Sequence, residues 1–363
     1  MSRELPLAFT RTLLGWQVKY LRYFNKKLYK LIVAGEILMY DVITIGSATI
    51  DTFVKTEFCD MVKQKGKDCV TYPVGAKILV DELILTTGGG GTNAAVSLAR
   101  LGHKVAFLGK MGLKYNSNML VSELKKEKID TSLIVRKKTS RTGYSVILDS
   151  LRHDRTILVF RGSNNDLRFN EVKIKKLKTK WFYFSSMMGK SFKTLEKIAS
   201  YATKNKIKIA FNISSYLAKK GVRYLKTILK KTNILILNKE EAGMVVGKGK
   251  VEKLLKKLHK LGPEIVGITD GNKGVYVFDG NHLYYGKPSN INVVETTGAG
   301  DAFASSFLSG MIRKNDVEFA MKLGMTNAES VITHHGAKNK LLKYNGALRV
   351  MKGRPIKVTK KKL

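Results

Sequence analysis

From residue 40 onward the chain alternates short apolar, β-branched runs with amphipathic stretches of helical period. Val42-Ile43-Thr44-Ile45, closed by Gly46, reads as a buried strand. A helix is predicted over about 93–101, stopped by Gly102, followed by a strand over 105–108 and a helix over 117–128. Similar pairs follow at 181–184 with 192–203, 208–211 with 216–229, and 234–237 with 251–261. Strands at 265–268 and 275–278 precede two closing helices, 299–312 and 317–333. This alternation dictates a largely parallel sheet covered on both faces. The runs 144–148 and 156–160 break the rhythm and read as a hairpin around a polar turn at 150–154. With extended segments at 51–58 and 78–86 they predict a small separate sheet, a lid built from about 51–60, 75–87 and 141–163.

Composition bounds this picture. The chain has 363 residues, long enough for one large α/β domain or two ordinary ones, and its 44% hydrophobic and 26% charged composition suits a soluble globular protein. Two cysteines, Cys59 and Cys69, make no disulfide framework or zinc spacing, so a reducing, cytoplasmic setting is expected. Net charge is +38, and 52 of the 66 basic residues are lysine. They are spread through nearly every helix rather than gathered into an arginine-rich stripe, which argues against a nucleic-acid partner. Residues 1–38 mix Trp16, Tyr20, Tyr23 and Phe24 with Arg11, Lys19, Arg22 and Lys26. They read as an appendage before a domain at 39–342, with a basic amphipathic helix as the other reading. No uninterrupted stretch is long enough for a transmembrane span, and a cleavable leader is not expected because Arg11 interrupts the apolar run. Residues 343–363, ending KVTKKKL, read as a solvated basic tail.

Three stretches carry chemistry. In ETTGAGDAFASSFLSG, from Glu295 to Gly310, small residues open a helix whose first amides and dipole favour an anion. Asp301 stands where it can take the proton of a hydroxyl attacking a phosphorus held there, or simply complement the dipole. In GGGGTNAAVSLARLG, from Gly88 to Gly102, four glycines allow close approach of a ligand or backbone, or a hinge, and Asn93 offers an amide to a polyol. In NKEE, Asn238 and Glu241 form a capping box, and Glu241 also stands near a strand end where it can hold Mg²⁺ through water. Asp51 and Thr269-Asp270-Gly271 follow other strands at the same end. Gly189-Lys190-Ser191 is no P-loop, because Phe184 occupies the required glycine position. No dinucleotide fingerprint follows the first strand, and His334-His335 is most simply a polar helix end.

GGGGTNAAVSLARLG and ETTGAGDAF, with NKEE and TDG between them, resemble the signatures of the PfkB (ribokinase-like) carbohydrate and nucleoside kinases. The resemblance spans about 40–342 and implies a three-layer α/β/α doubly wound fold, mostly parallel, with a β-sheet lid closing over a sugar. It implies an ATP-dependent phosphotransferase with Mg²⁺. Asp301 would be the base, and Gly298, Ala299 and Gly300 the anion hole. Asn238 and Glu241 would organise Mg²⁺ and phosphate. Thr269, Gly271 and Asn327 would bind nucleotide; Asp51, Gly89, Gly90, Asn93 and Arg161 would meet the acceptor. Many members use a monovalent cation such as K⁺ near Glu295 and Thr297, and a homodimer through the lid is compatible. Two departures stand out: Glu295 replaces a common Asp, and Gly90 replaces the lysine of ribokinases. Arg161 would suit an acidic or phosphorylated acceptor, or lie exposed beside the lid. The expected activity is phosphorylation of a sugar or sugar-like hydroxyl; the alternatives are a nucleoside kinase and a non-catalytic binding protein.

Overall fold

The computed structural model describes residues 39–56, 60–149 and 155–363. The extension 1–38, the lid residues 57–59 and the hairpin turn 150–154 lie outside the described residues.

The strands are β1 (Tyr40–Ile45), β2 (Thr49–Lys55), β3 (Asp60–Gln64), β4 (Lys67–Thr71), β5 (Glu82–Gly88), β6 (Val105–Leu108), β7 (Lys110–Met111), β8 (Val135–Arg136), β9 (Gly143–Asp149) and β10 (Arg155–Phe160). They continue as β11 (Thr179–Phe184), β12 (Lys208–Asn212), β13 (Ile234–Asn238), β14 (Ile265–Thr269), β15 (Val275–Phe278), β16 (His282–Gly286) and β17 (Val358–Lys362). The helices are α1 (Gly90–Arg100), α2 (Tyr115–Lys126), α3 (Gly189–Lys204), α4 (Ser215–Ala218), α5 (Gly221–Leu229), α6 (Lys239–Val246), α7 (Val251–His259), α8 (Ala299–Lys314), α9 (Val317–Val331) and α10 (Tyr344–Gly353). The helix expected over 216–229 is broken into α4 and α5 at Gly221.

The main sheet runs β17-β16-β15-β14-β13-β12-β11-β1-β6. Its strands from β6 to β14 pair in parallel, and the three at the other edge are antiparallel. Period-two alternation splits the core between two faces. On β11, Phe182 and Phe184 join Phe192, Phe211 and Leu255 on one face; Tyr183 joins Val96, Phe303 and Phe307 on the other. Each fully buried phenylalanine contributes about 1.5–3 kcal/mol, so both helical layers are held by aromatic and aliphatic burial.

The second sheet runs β10-β9-β2-β5 and is the expected lid. Asp51 lies on one face of it. The opposite face leaves Leu83, Leu85, Leu158 and Phe160 exposed.

Residues 343–363 are not a solvated tail. They form α10, which packs on α9, and β17, the edge strand paired with β16. The lysines of VTKKK stay exposed, as charged residues on an edge strand do. That pairing is set by β16 and leaves no alternation to read in the strand itself.

Candidate active site

The C-terminal ends of β1, β11 and β13 converge with the starts of α1 and α8. At α1 the four glycines each make room for something different. Gly89 has φ +96° and abuts the Ser47 carbonyl, a backbone a side chain would disfavour. Gly91 lies against the Gly46 backbone. Side chains on Gly88 and Gly90 would collide with the Asp51 carboxylate and with Ser185 Oγ respectively. The run is therefore demanded by packing: Gly88 and Gly90 make room beside the Asp51 and Asp301 carboxylates, and Gly89 and Gly91 against the backbone of residues 46–48.

At α8, Gly298 caps the helix with φ +82°, and Asp301 falls in its first turn. Asn93 Nδ2 donates to Asp301 Oδ2 at 2.8 Å. Asn93 is 6% exposed, yet its Oδ1 has no partner. Burial pushes the Asp301 carboxyl above its ordinary range; the Asn93 hydrogen bond and the Lys338 charge oppose this, and Asp51 reinforces it. Asp51 is likewise pushed up by burial and pulled back by hydrogen bonds from Ser145 and Thr49 and by Lys338. The Ala299 amide is spent on the Thr296 carbonyl at 3.3 Å, while the first turn leaves Gly300 and Asp301 amides without intrahelical acceptors.

Beyond that turn lies a cavity of about 820 Å³ that includes Thr269, Gly271, Thr296, Ala299, Gly300 and Phe303 in its lining. Thr269 also pairs with Asn238 across β14 and β13. Asn238 accepts from the Glu241 amide at 2.8 Å, and Glu241 Oε2 accepts from the Asn238 amide at 2.9 Å, completing the capping box. Ser215 donates to Glu241 Oε1 at 3.1 Å. Glu241 is 7% exposed and forms no ion pair among the described residues; burial raises its pKa, and Asp301 adds to the rise. A buried carboxylate of this kind suits a hydrated divalent cation. Among the described residues there is no cluster of three or more His, Cys, Asp or Glu side chains able to hold a metal by themselves.

Of the remaining expected residues, Asn327 stands apart and Arg161 lies at the strand ends. Asn327 is fully buried, bonded to Ser306 Oγ at 2.7 Å and to the Leu342 amide at 2.9 Å. On α9, Met325, Ala328, Glu329 and Ile332 share the face that lines the cavity, and helical period turns Asn327 away from it. Arg161 lies near the ends of β11 and β12, reaching the residue after Ser185, whose Oγ faces Gly90 beside Asp301. It bonds Asn165 at 2.9 Å, reaches the Ser186 carbonyl at 3.4 Å and stacks over Tyr216. It pairs with no carboxylate among the described residues, and burial lowers its pKa.

Sequence reading missed Ser185 and Lys338. Ser185 directly follows an apolar strand at the sheet's ligand-gathering end, which was signal enough. Lys338 had none among 52 lysines.

Glu295, 8% exposed, accepts the Gly336 amide at 2.9 Å, and Thr297 Oγ1 nearby is buried without a partner. Among the described residues no helix is long and apolar enough to cross a membrane.

Comparison with known proteins gives the family and the fold. An uncharacterized sugar kinase of Archaeoglobus fulgidus is 28% identical over 68% of this chain and 98% of its own length. A 5-dehydro-2-deoxygluconokinase of Halalkalibacterium halodurans is 25% identical over 69% of this chain and 81% of its own. The Arabidopsis thaliana ribokinase solved with ribose and ATP superposes with a TM-score of 0.74, covering 87% of this chain and 99% of that one at 19% identity. The pfkB family carbohydrate kinase model matches residues 39–343, and the chain belongs to that family, an enzyme that phosphorylates an alcohol group.

Proposed function

We propose that this kinase transfers the γ-phosphoryl group of ATP to a hydroxyl of an acidic or phosphorylated sugar. The carrying observation is the placement of Asp301. Its carboxylate, tethered by Asn93, stands at the start of the helix whose opening residues line the large cavity. ATP would occupy that cavity against Thr269 and Gly271, with its terminal phosphate at the Gly298–Ala299–Gly300 turn. Asp301 would accept the acceptor's proton as the oxygen attacks phosphorus. First-turn amides and the helix dipole would hold charge on the transferred group. Asp51 and the unpartnered Asn93 Oδ1 would accept hydrogen bonds from acceptor hydroxyls, fixing the attacking oxygen.

Mg²⁺ would neutralise phosphate charge; Glu241, steadied by Asn238 and Ser215, would hold its waters. Glu295 and Thr297 suit a monovalent cation such as K⁺, because a buried hydroxyl without a partner lies two residues along the chain from a buried carboxylate. Arg161 sets the acceptor class. A partly buried guanidinium without a carboxylate partner is costly, and a carboxylate or phosphate on the acceptor would relieve that cost. A relative named for a gluconate-derived acceptor supports the same reading. The apolar outer face of the lid fits a second copy of this chain, and the activity suits a cytoplasmic enzyme.

The deciding experiment measures ATP turnover over ribose, fructose, their phosphates, 2-keto-3-deoxygluconate, adenosine and cytidine. Preference for an acidic or phosphorylated sugar is expected. Preference for a neutral sugar or a nucleoside would overturn the acceptor assignment, and no turnover on any would overturn the reading.

A further inference from the structure

Lys338 is 5% exposed, a rare state for a lysine. Its Nζ lies 2.7 Å from Glu123 Oε2 on α2 and 3.0 Å from Thr87 Oγ1, one residue before the lid strand β5 ends. Its backbone is pinned as well. Arg100 of α1 donates to the Lys338 carbonyl at 2.8 Å and the Leu341 carbonyl at 3.2 Å, while its Nε contacts Glu127 at 3.0 and 3.1 Å. The two residues before Lys338 form a wedge behind the phosphate turn. Gly336 donates to Glu295, and Ala337 packs so closely on Gly298 that a side chain there would collide with it. Lys338 and the two residues before it thus join the end of lid strand β5, α2 and the back of the α8 turn.

Packing alone does not call for a charge. An apolar side chain of similar length would fill the space, and replacing a buried ion pair by apolar groups is often neutral or stabilising. The ammonium acts beyond Glu123: Thr87, which it bonds, precedes Gly88, whose open side faces the Asp51 carboxylate, and its charge favours the ionised forms of Asp51 on β2 and Asp301 on α8. We propose that Lys338 is a positioning residue for phosphoryl transfer, its buried charge steadying the Asp51 and Asp301 carboxylates while its bond to Thr87 and its place directly after Ala337 tie the end of the lid to the phosphate turn. This rests on the reading of Asp301 as base.

The other charged or titratable groups around the trio are Arg100 on α1, Tyr183 on β11, Glu241 on α6 and Glu295 before α8. Removing a cation raises a neighbouring carboxyl's pKa, so on acidification the activity that needs ionised aspartates is lost already at a higher pH. In Lys338→Met the acid limb of kcat/KM should move up by about one pH unit, with kcat lowered and the KM for ATP within about twofold of wild type. Lys338→Arg, which keeps the charge, should leave the limb in place. Glu123→Gln breaks the tie but keeps the lysine, and should not move the limb upward. An unmoved limb in Lys338→Met, or an equal upward move in Glu123→Gln, would overturn the proposal. Titration of the ¹³C-labelled Asp51 and Asp301 carboxyls in the full chain, assigned with Asp→Asn variants, reads the same shift without turnover. If wild type phosphorylates no acceptor, the kinase reading fails while this titration still decides the role of Lys338.

Discussion

Gly90 and Asp301 face each other so closely that a β-carbon on Gly90 would lie 3.1 Å from Asp301 Oδ1 and 2.2 Å from Ser185 Oγ. A missing side chain at one helix start therefore keeps space beside the carboxylate at another. Overpacking of this kind costs about 1–3 kcal/mol. Gly90→Ala should lower kcat/KM at least tenfold, and adding Ser185→Gly should restore part of it by removing the nearest obstructing atom. Steady-state kinetics of the single and double variants check this; an unimpaired Gly90→Ala enzyme would refute it.

Asp301→Asn should lower kcat about 10³-fold and leave ATP affinity nearly unchanged, measured by turnover and calorimetric titration. Stability should move the other way. Burial holds the Asp301 pKa above its ordinary 3.8, so ionising it opposes folding. That cost is present above the folded-state value and disappears as pH falls towards 3.8. The variant should therefore melt higher than wild type at pH 7, with the gain shrinking toward pH 4.

Arg161→Ala should raise KM for an acidic acceptor by about 10–100-fold, the worth of a hydrogen bond to a charged group, while KM for ATP stays constant. Equal losses for acidic and neutral acceptors would mean that Arg161 acts through packing on Tyr216 instead.

Thr297→Val removes the buried, unpartnered hydroxyl two residues along the chain from Glu295. Turnover of the wild type should be higher in KCl than in an equal concentration of tetramethylammonium chloride, and the variant should lose most of that difference. An enzyme indifferent to the cation would leave Glu295 a purely structural ligand of Gly336.

Lysine at Leu83 and Leu158 together should convert a dimer to a monomer in light scattering after size exclusion, because both sit on the exposed apolar lid face opposite Asp51. A wild type that is monomeric at micromolar concentration would exclude the lid contact.

Local signals carried far in this chain. The order of apolar strands and amphipathic helices dictated the layered α/β fold, since side-chain period reports directly which faces are buried. Two glycine-rich runs marked the helix starts of the site, because backbone that must approach a carboxylate or an anion tolerates no side chain. Folding decided what no local pattern encodes. Helical phase turned Asn327 into the core, and β16 recruited a lysine-rich end as its edge strand. It also chose Lys338, one lysine among many, to be buried against Thr87 at the end of β5 and Glu123 on α2. Such roles depend on which distant residues become neighbours, and burial and charge act through those neighbours rather than along the chain.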